Sequence, residues 1–353
     1  MRWGKQLFVL LCLALLCLAA AQSAAAAPRI LRVLTHSSFS ATKALIESFE
    51  KANDVELRFT TGGDAGETLN KAILSKGNPL ADVLFGVDNT FMGRALAADI
   101  LEPWDSPLLA DIPAALKMDP THRLLPVDFG YVCLNYDKAY FARKGLPVPR
   151  SLEELTLPAY RGLLVVENPA TSSPGLAFLL ATIGRFGEKG ARTWESYWSD
   201  LRRNDVLVVN GWSEAYYDEF SAGGKGRRPI VVSYATSPAA ELHFASEPRP
   251  AEPPTGNILA EGGSFRQIEF VGIFKGTREL DLARKLVDFM LSREFQEDIP
   301  LQMFVYPSSR RAALPGLFTA FAPVPPAPSS LDAALIDARR DEWIARWTRL
   351  LLR

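Results

Sequence analysis

VLVVNGWSEAYYDEF, residues 206–220, is the stretch around which the rest of the sequence is organised. Four apolar residues lead into the turn dipeptide Asn210-Gly211, and Ser213-Glu214 is typical of a helix start. The stretch therefore predicts a strand that ends where a helix begins, with Trp212 at the junction. Ligands of open α/β sheets bind beyond the carboxyl ends of strands, so Trp212 is either a core residue or part of a binding site.

Two other predicted strand-to-helix junctions have the same chemistry. They are NPATSSPG at residues 168–175 and SYATSP at residues 233–238, both rich in hydroxyl groups and marked by proline. Because helix amides and hydroxyls at such turns can bind a ligand, the repetition favours the binding-site interpretation of Trp212. The sequence predicts that the three turns share one cleft.

The first 27 residues differ from the rest of the 353-residue chain. Arg2 and Lys5 are basic, residues 6–20 are almost wholly apolar, and residues 24–27 are small, which is typical of a cleavable signal peptide. A lipoprotein signal is poorly matched, because Leu16 precedes Cys17. Loss of this segment would change the formal net charge from −1 to about −3. Because nucleic-acid binders are usually basic, no nucleic-acid partner is predicted. We expect export to the periplasm.

Three cysteines are present, and two of them, Cys12 and Cys17, lie in the predicted signal peptide. Cys133 would then stand alone and could not form an internal disulfide. None of the three histidines lies in a recognisable catalytic motif, so Cys133 is predicted to be a buried structural thiol.

Units of strand, polar turn and helix recur along the mature chain and predict an α/β fold. Two longer apolar segments, residues 124–136 and 265–275, are predicted to cross between two lobes. Trp194, Tyr197 and Trp198 have helix-core spacing and are predicted to pack rather than to bind ligand. Ser330 is predicted to cap a final helix.

No nucleophile with its base, no paired carboxylates in a defined motif and no metal-ligand spacing is recognisable in the sequence. The prediction is therefore binding without catalysis, with no cofactor and no metal. Tyr216-Tyr217 resembles the tyrosine pairs of ferric-ion binders, but adjacent helical residues diverge by roughly 100°. An exported hydrolase or transferase is the alternative from a different functional class.

Several motifs together resemble the family of periplasmic thiamine-binding proteins. They are NGWSEAY (210–216), SYATSP (233–238), ATSSPG (170–175), VDFGY (127–131) and REFQEDIP (293–300). This family supplies the substrate-binding component of thiamine ABC transporters and belongs to the two-lobed type II class. The resemblance extends from about residue 31 to the end of the chain, and the combination of GWSEAY with SYATSP is its most specific part.

The resemblance implies a set of ligand contacts at the turns described above: Asp64, Ala65, Ser172, Ser173, Trp212, Tyr234, Ala235, Thr236 and Ser237. In that scheme, aromatic faces bind the rings and the cation, and serine hydroxyls with helix amides bind a hydroxyl or phosphate. His36, Ala240 and Phe304 stand where the family commonly has Tyr, Tyr and Trp. His36 and Phe304 can still stack and are additional expected contacts. These departures leave open another heteroaromatic cation, or ferric ion, as the ligand.

The resulting prediction is a two-lobed α/β protein of the type II periplasmic binding class, each lobe a mixed sheet flanked by helices, with the ligand in the inter-lobe cleft. Residues 1–27 form the signal peptide, residues 28–128 and 270–353 form lobe 1 with a C-terminal helix at 331–352, and residues 129–269 form lobe 2. The expected function is to capture thiamine, and also its phosphate esters, and to deliver it as a monomer to an ABC transporter permease in the inner membrane.

Overall fold

The computed structural model describes residues 29–329 and 331–353, and within them all named strands pair into one sheet. The predicted signal peptide and Ser330 lie outside the described residues. The strands are β1 (Arg29–Thr35), β2 (Val55–Thr61), β3 (Val83–Asp88), β4 (Leu101–Glu102), β5 (Leu125–Asp137), β6 (Leu164–Glu167), β7 (Leu207–Val209), β8 (Ile230–Tyr234), β9 (Thr255–Ile258), β10 (Phe265–Phe274) and β11 (Tyr306–Pro307).

Helices follow most of the strands and cover the sheet. The α-helices are α1 (Lys43–Asn53), α2 (Ala65–Leu74), α3 (Met92–Ala97), α4 (Lys138–Lys144), α5 (Ser173–Phe186), α6 (Trp194–Arg203), α7 (Ser237–His243), α8 (Leu280–Leu291), α9 (Arg293–Gln302), α10 (Gly316–Phe321) and α11 (Ala333–Leu351). A π-helical turn spans Glu214–Glu219, and short 3₁₀ turns span Pro107–Asp111, Ala114–Leu116, Glu153–Thr156 and Pro158–Tyr160. No helix in these two ranges is long and apolar enough to cross a membrane.

The order of the strands across the sheet is β2-β1-β3-β10-β5-β8-β6-β7. At one side β1 is parallel to β2 and β3, and at the other side β6 is parallel to β7 and β8. The long strands β10 and β5 pair antiparallel with each other and join the two sides. The predicted lobe boundaries fall within these two strands, at the paired residues Asp128 and Glu269.

Local sequence explains most of these elements. The strands β3, β6 and β8 are short, mostly apolar runs buried within the sheet, and β1 is buried from Val33 to Thr35, as expected for α/β units. At the end of β3, Asp88 Oδ1 accepts hydrogen bonds from Thr90 N (2.7 Å) and Thr90 Oγ1 (2.5 Å), so it does not cap the helix that follows. Helix α3 consequently begins after Phe91 without a side-chain cap.

The core of one side of the sheet is rich in aromatic rings. Trp194, Tyr197 and Trp198 are buried on α6, so the prediction that they pack in the core is confirmed. Trp198 Nε1 donates to Thr182 Oγ1 (2.9 Å), which satisfies a buried polar group. Cys133 is also buried, as predicted, and burial raises the pKa of its thiol.

The final helix, α11, packs chiefly against α6, although the predicted boundaries assign the two helices to different lobes. The Trp347 and Trp198 rings meet edge to face with centroids 5.5 Å apart. Asp332 caps α11 by accepting a hydrogen bond from Leu335 N (3.0 Å). The apolar residues of α11 are not all buried, because Trp347 is fully covered whereas Leu335 is 41% exposed.

Candidate functional site

A cavity of about 650 Å³ lies where the three hydroxyl-rich or tryptophan-bearing turns meet the end of β1 and the middle of β10. Such a volume is typical of small-molecule sites. The turn after β7 contributes Trp212, the turn after β6 contributes Ser173, and the turn after β8 contributes Tyr234, Thr236 and Ser237. The expectation that these turns share one cleft is therefore confirmed by the geometry.

Asp64 connects the two sides of this cavity. It caps α2, since its Oδ1 accepts a hydrogen bond from Ala65 N (2.7 Å), and its Oδ2 accepts one from Trp212 N (3.1 Å). A second bridge nearby runs from Gly66 N to Thr171 O (3.1 Å). At the start of α2, Ala65 N is thus partnered within the cap and Gly66 N is partnered from the opposite side of the cleft.

Trp212 is held by contacts on several sides. Its Nε1 donates to Ser233 Oγ (2.8 Å), and one face stacks on Tyr216 with centroids 5.1 Å apart and planes at 21°. Tyr217 meets the indole edge on (5.4 Å, 80°). Trp212 is half-buried and lines the cavity, so this ring both packs on a small apolar cluster and presents an aromatic surface to a ligand.

Most of the residues expected to contact the ligand line the cavity: His36, Asp64, Ala65, Ser173, Trp212, Tyr234, Thr236, Ser237 and Phe304, together with Ala240. Ser172 and Ala235 differ, because both side chains are fully buried and neither lines the cavity. Ser173 is the first residue of α5 and Tyr234 is the last residue of β8, and both line the cavity, whereas their neighbours Ser172 and Ala235 are buried in the core.

His36 and Glu269 form an ionisable pair in the cavity wall. His36 Nε2 lies 3.4 Å from Glu269 Oε1, while His36 Nδ1 accepts a hydrogen bond from Ser38 N (3.1 Å). Burial acts to lower the pKa of His36, but the attraction of Glu269, Asp64 and Asp88 outweighs it, so the pKa lies above its usual value. Because Nδ1 accepts the Ser38 N–H, the tautomer that fits this geometry is the neutral imidazole with its proton on Nε2, facing Glu269.

Further carboxyl groups are buried close to the cavity. Burial raises the pKa of Asp88 to about 6, although Ser173 and Thr90 donate hydrogen bonds to it. Burial and the adjacent Glu269 raise the pKa of Asp128 well above its usual range, and burial raises that of Glu167 in the same direction. This region is acidic, and negative charge there is costly without a cation nearby.

Several cavity residues were not predicted from the sequence, among them Gln267, Glu269, Glu241 and Phe244. Gln267 and Glu269 alternate within the otherwise apolar β10, and this spacing places both on one face of the strand. Two polar residues at this spacing in the strand could have indicated a binding site from the sequence. Glu241 lies four residues after Ser237 on α7, one helical turn along the same face.

The two tyrosines of the pair lie in different environments. Tyr216 is buried and Tyr217 is 54% exposed, and their rings are nearly perpendicular at 82°. No cluster of three or more His, Cys, Asp or Glu side chains suited to a metal ion occurs in residues 29–329 and 331–353.

Known proteins resemble this chain along most of its length. It is 30% identical over 332 residues to the thiamine-binding periplasmic protein of Salmonella typhimurium, covering 92% of this chain and 94% of that protein. The Escherichia coli protein of the same name is 30% identical over 334 residues, with the same two coverages.

Solved structures of periplasmic binding proteins superimpose on this chain along most of its length. A periplasmic thiamin binding protein superimposes with a TM-score of 0.79 at 27% identity, covering 93% of this chain and 100% of that one. The ferric binding protein from Campylobacter jejuni superimposes with a TM-score of 0.71, covering 91% and 99%, but at 19% identity it supports the two-lobed fold alone.

Residues 78–320 match the family described as bacterial extracellular solute-binding protein, which accounts for more than half of the chain. The function class of this family is solute binding. The two-lobed α/β architecture agrees with the fold expected from the sequence. The chain belongs to the bacterial extracellular solute-binding protein family.

Proposed function

We propose that this protein captures thiamine in the periplasm and delivers it to an ABC transporter permease. The observation that carries the proposal is the cavity wall, which combines aromatic rings with carboxylates and contains no lysine or arginine among the described residues. Thiamine joins an aminopyrimidine to a positively charged thiazolium ring. Aromatic faces attract such a cation, and nearby carboxylates complement its charge. The names of the relatives support the same ligand.

Under this proposal, different cavity residues contact different parts of the ligand. Trp212, Tyr234 and Phe304 stack on the rings, while Asp64 and Glu269 provide negative charge for the cation. The hydroxyl groups of the hydroxyl-rich turns bind polar groups of the ligand. Ser172 and Ala235 contribute through the backbone and packing behind the cavity, because their side chains are buried.

The proposal also covers the export of the protein, its oligomeric state and the division of the chain into two lobes. Residues 1–27 serve as a cleaved signal peptide, and the mature protein is a monomer. Residues 28–128 with 270–353 form lobe 1, and residues 129–269 form lobe 2. The lobes separate to admit the ligand and close with the bridges from Asp64 and Gly66.

Calorimetric titration of the purified mature protein tests the function directly. Thiamine is expected to bind saturably at one site per chain, and ferric citrate in parallel is expected to give no binding heat. Absence of thiamine binding at about 1 mM, the range of very weak sites, would overturn the proposal.

The change Trp212→Ala is expected to weaken thiamine binding by about 1–3 kcal/mol, because it removes the stacking surface and the cation–π attraction. Trp212→Phe is the matched variant, since it retains a ring but loses the hydrogen bond from Nε1 to Ser233, and its affinity should be intermediate. Calorimetry gives the affinities, and circular dichroism verifies folding. An unchanged affinity for a folded Trp212→Ala would assign the ring to packing alone.

A further inference from the structure

Three carboxyl groups lie side by side across the centre of the sheet. Glu269 on β10 is the register partner of Asp88 on β3 and also of Asp128 on β5. Directly opposite residues of antiparallel strands place their side chains on the same face, about 5 Å apart. Asp88 and Asp128 are fully buried, and Glu269 lines the cavity and is 7% exposed. We call these three residues the acid row.

The members of the acid row differ in their hydrogen bonds. Asp88 accepts hydrogen bonds from two neighbouring side chains and one amide. Glu269 Oε1 lies 3.4 Å from the Gln267 amide nitrogen and 3.4 Å from His36 Nε2. Neither Asp128 oxygen receives a hydrogen bond from an N–H or hydroxyl group of the described residues. A buried carboxylate without donors is unfavourable, so the geometry fits a neutral Asp128 carboxyl whose O–H faces Glu269.

The acid row has no cation in contact with it. No lysine or arginine in residues 29–329 and 331–353 forms an ion pair with any of its members. Arg340 on α11 stacks on Phe91, with 4.4 Å from its guanidinium carbon to the ring centroid, and pairs with Asp341 instead. The ionisable groups whose charges act on the acid row are His36, Asp64, Tyr234 and Arg340. Protons are therefore the means by which the row is neutralised.

Burial keeps the acid row partly protonated near neutral pH. It raises the pKa of Asp88 to about 6, and together with the adjacent Glu269 it raises the pKa of Asp128 well above its usual range. A cation in the cavity favours charged carboxylates and so lowers such pKa values. Binding of a cation and binding of protons are consequently opposed.

We propose that the acid row is a proton-binding site and that a cationic ligand entering the cavity displaces a proton from it. The inference deepens the proposed function, on which it rests through the positive charge of the thiazolium ring. Asp128 retains its proton beside Glu269. Asp88 loses its proton to the solvent buffer, and the hydrogen bonds that it accepts stabilise the resulting carboxylate.

Calorimetric titration of the full mature protein with thiamine, in buffers of different ionisation enthalpy, counts the protons released. At about pH 6 the wild type should release about 0.3–0.5 proton per thiamine, because Asp88 is half protonated there, and at about pH 8 almost none. Asp88→Asn cannot titrate and should at least halve the release, which assigns the proton to the acid row rather than to the ligand. Asp119→Asn, at a buried aspartate outside the cavity, should release as much as the wild type.

Thermal melting of Asp128→Asn tests the retained proton without any ligand. A carboxyl whose pKa is raised by folding contributes stability that is present below its unfolded pKa and is lost as the pH rises. The melting temperature of Asp128→Asn relative to wild type should therefore increase by about 3–6 °C between about pH 5 and pH 7. Asp119→Asn is the matched control of opposite sign. Burial acts against it, but the N–H donors of Thr121, Arg123 and Leu124 lower the pKa of Asp119 below its usual value. Its variant should melt lower by an amount that is constant over this range.

The outcomes separate this inference from the proposed function. Proton release with a melting difference that grows with pH supports both. If thiamine binds without proton release, or if Asp128→Asn melts lower at every pH as Asp119→Asn does, the inference is wrong and thiamine capture stands. If thiamine does not bind, the proposed function and the displacement both fail.

Discussion

Asp64→Ala is expected to weaken thiamine binding by about 2–4 kcal/mol, or roughly 30-fold to 1000-fold. The carboxylate accepts Ala65 N and Trp212 N from opposite sides of the cavity, so its loss frees both the start of α2 and the loop that positions Trp212. It also removes negative charge from the wall that faces the ligand cation. Calorimetry with thiamine measures the loss.

Two variants separate these contributions. Asp64→Asn retains an oxygen acceptor but no charge, so it should fall between wild type and Asp64→Ala. Asp332→Ala removes another aspartate helix cap, that of α11, and should cost about 1 kcal/mol of stability without a change in thiamine affinity. If Asp64→Ala and Asp332→Ala bound thiamine alike, the cross-cavity role of Asp64 would be refuted.

Trp347→Ala is expected to lower the free energy of unfolding by about 3–5 kcal/mol. The ring is fully buried and meets Trp198 edge to face, so truncation leaves a large cavity between α11 and α6. Neighbouring contacts depend on the same packing, including the hydrogen bond from Trp343 Nε1 to Glu188 Oε1 (2.8 Å). Urea unfolding followed by circular dichroism measures the effect.

Leu335→Ala is the control on the same helix. Leu335 is 41% exposed, so its truncation should cost less than about 1 kcal/mol. A Trp347→Ala variant as stable as Leu335→Ala would mean that α11 does not pack on α6 in solution.

The sequence was sufficient to predict the local elements. Apolar runs such as Val83–Val87 form buried strands. The spacing of Trp194, Tyr197 and Trp198 predicts one buried helix face, and this prediction is confirmed. These patterns depend on backbone geometry and on burial of neighbouring residues, which act over a few positions along the chain. The junction at Trp212 was predictable for the same reason.

The tertiary structure alone decided which residues face the cavity and what each one contacts. Ser172 and Ser173 are chemically identical neighbours and both are buried, yet only Ser173 lines the cavity. The two partners of the hydrogen bond between Trp212 N and Asp64 are 148 positions apart. The packing of α11 on α6 likewise joins distant segments. Such contacts form because the whole sheet brings distant turns together. They cannot be predicted from the spacing of residues within one short segment.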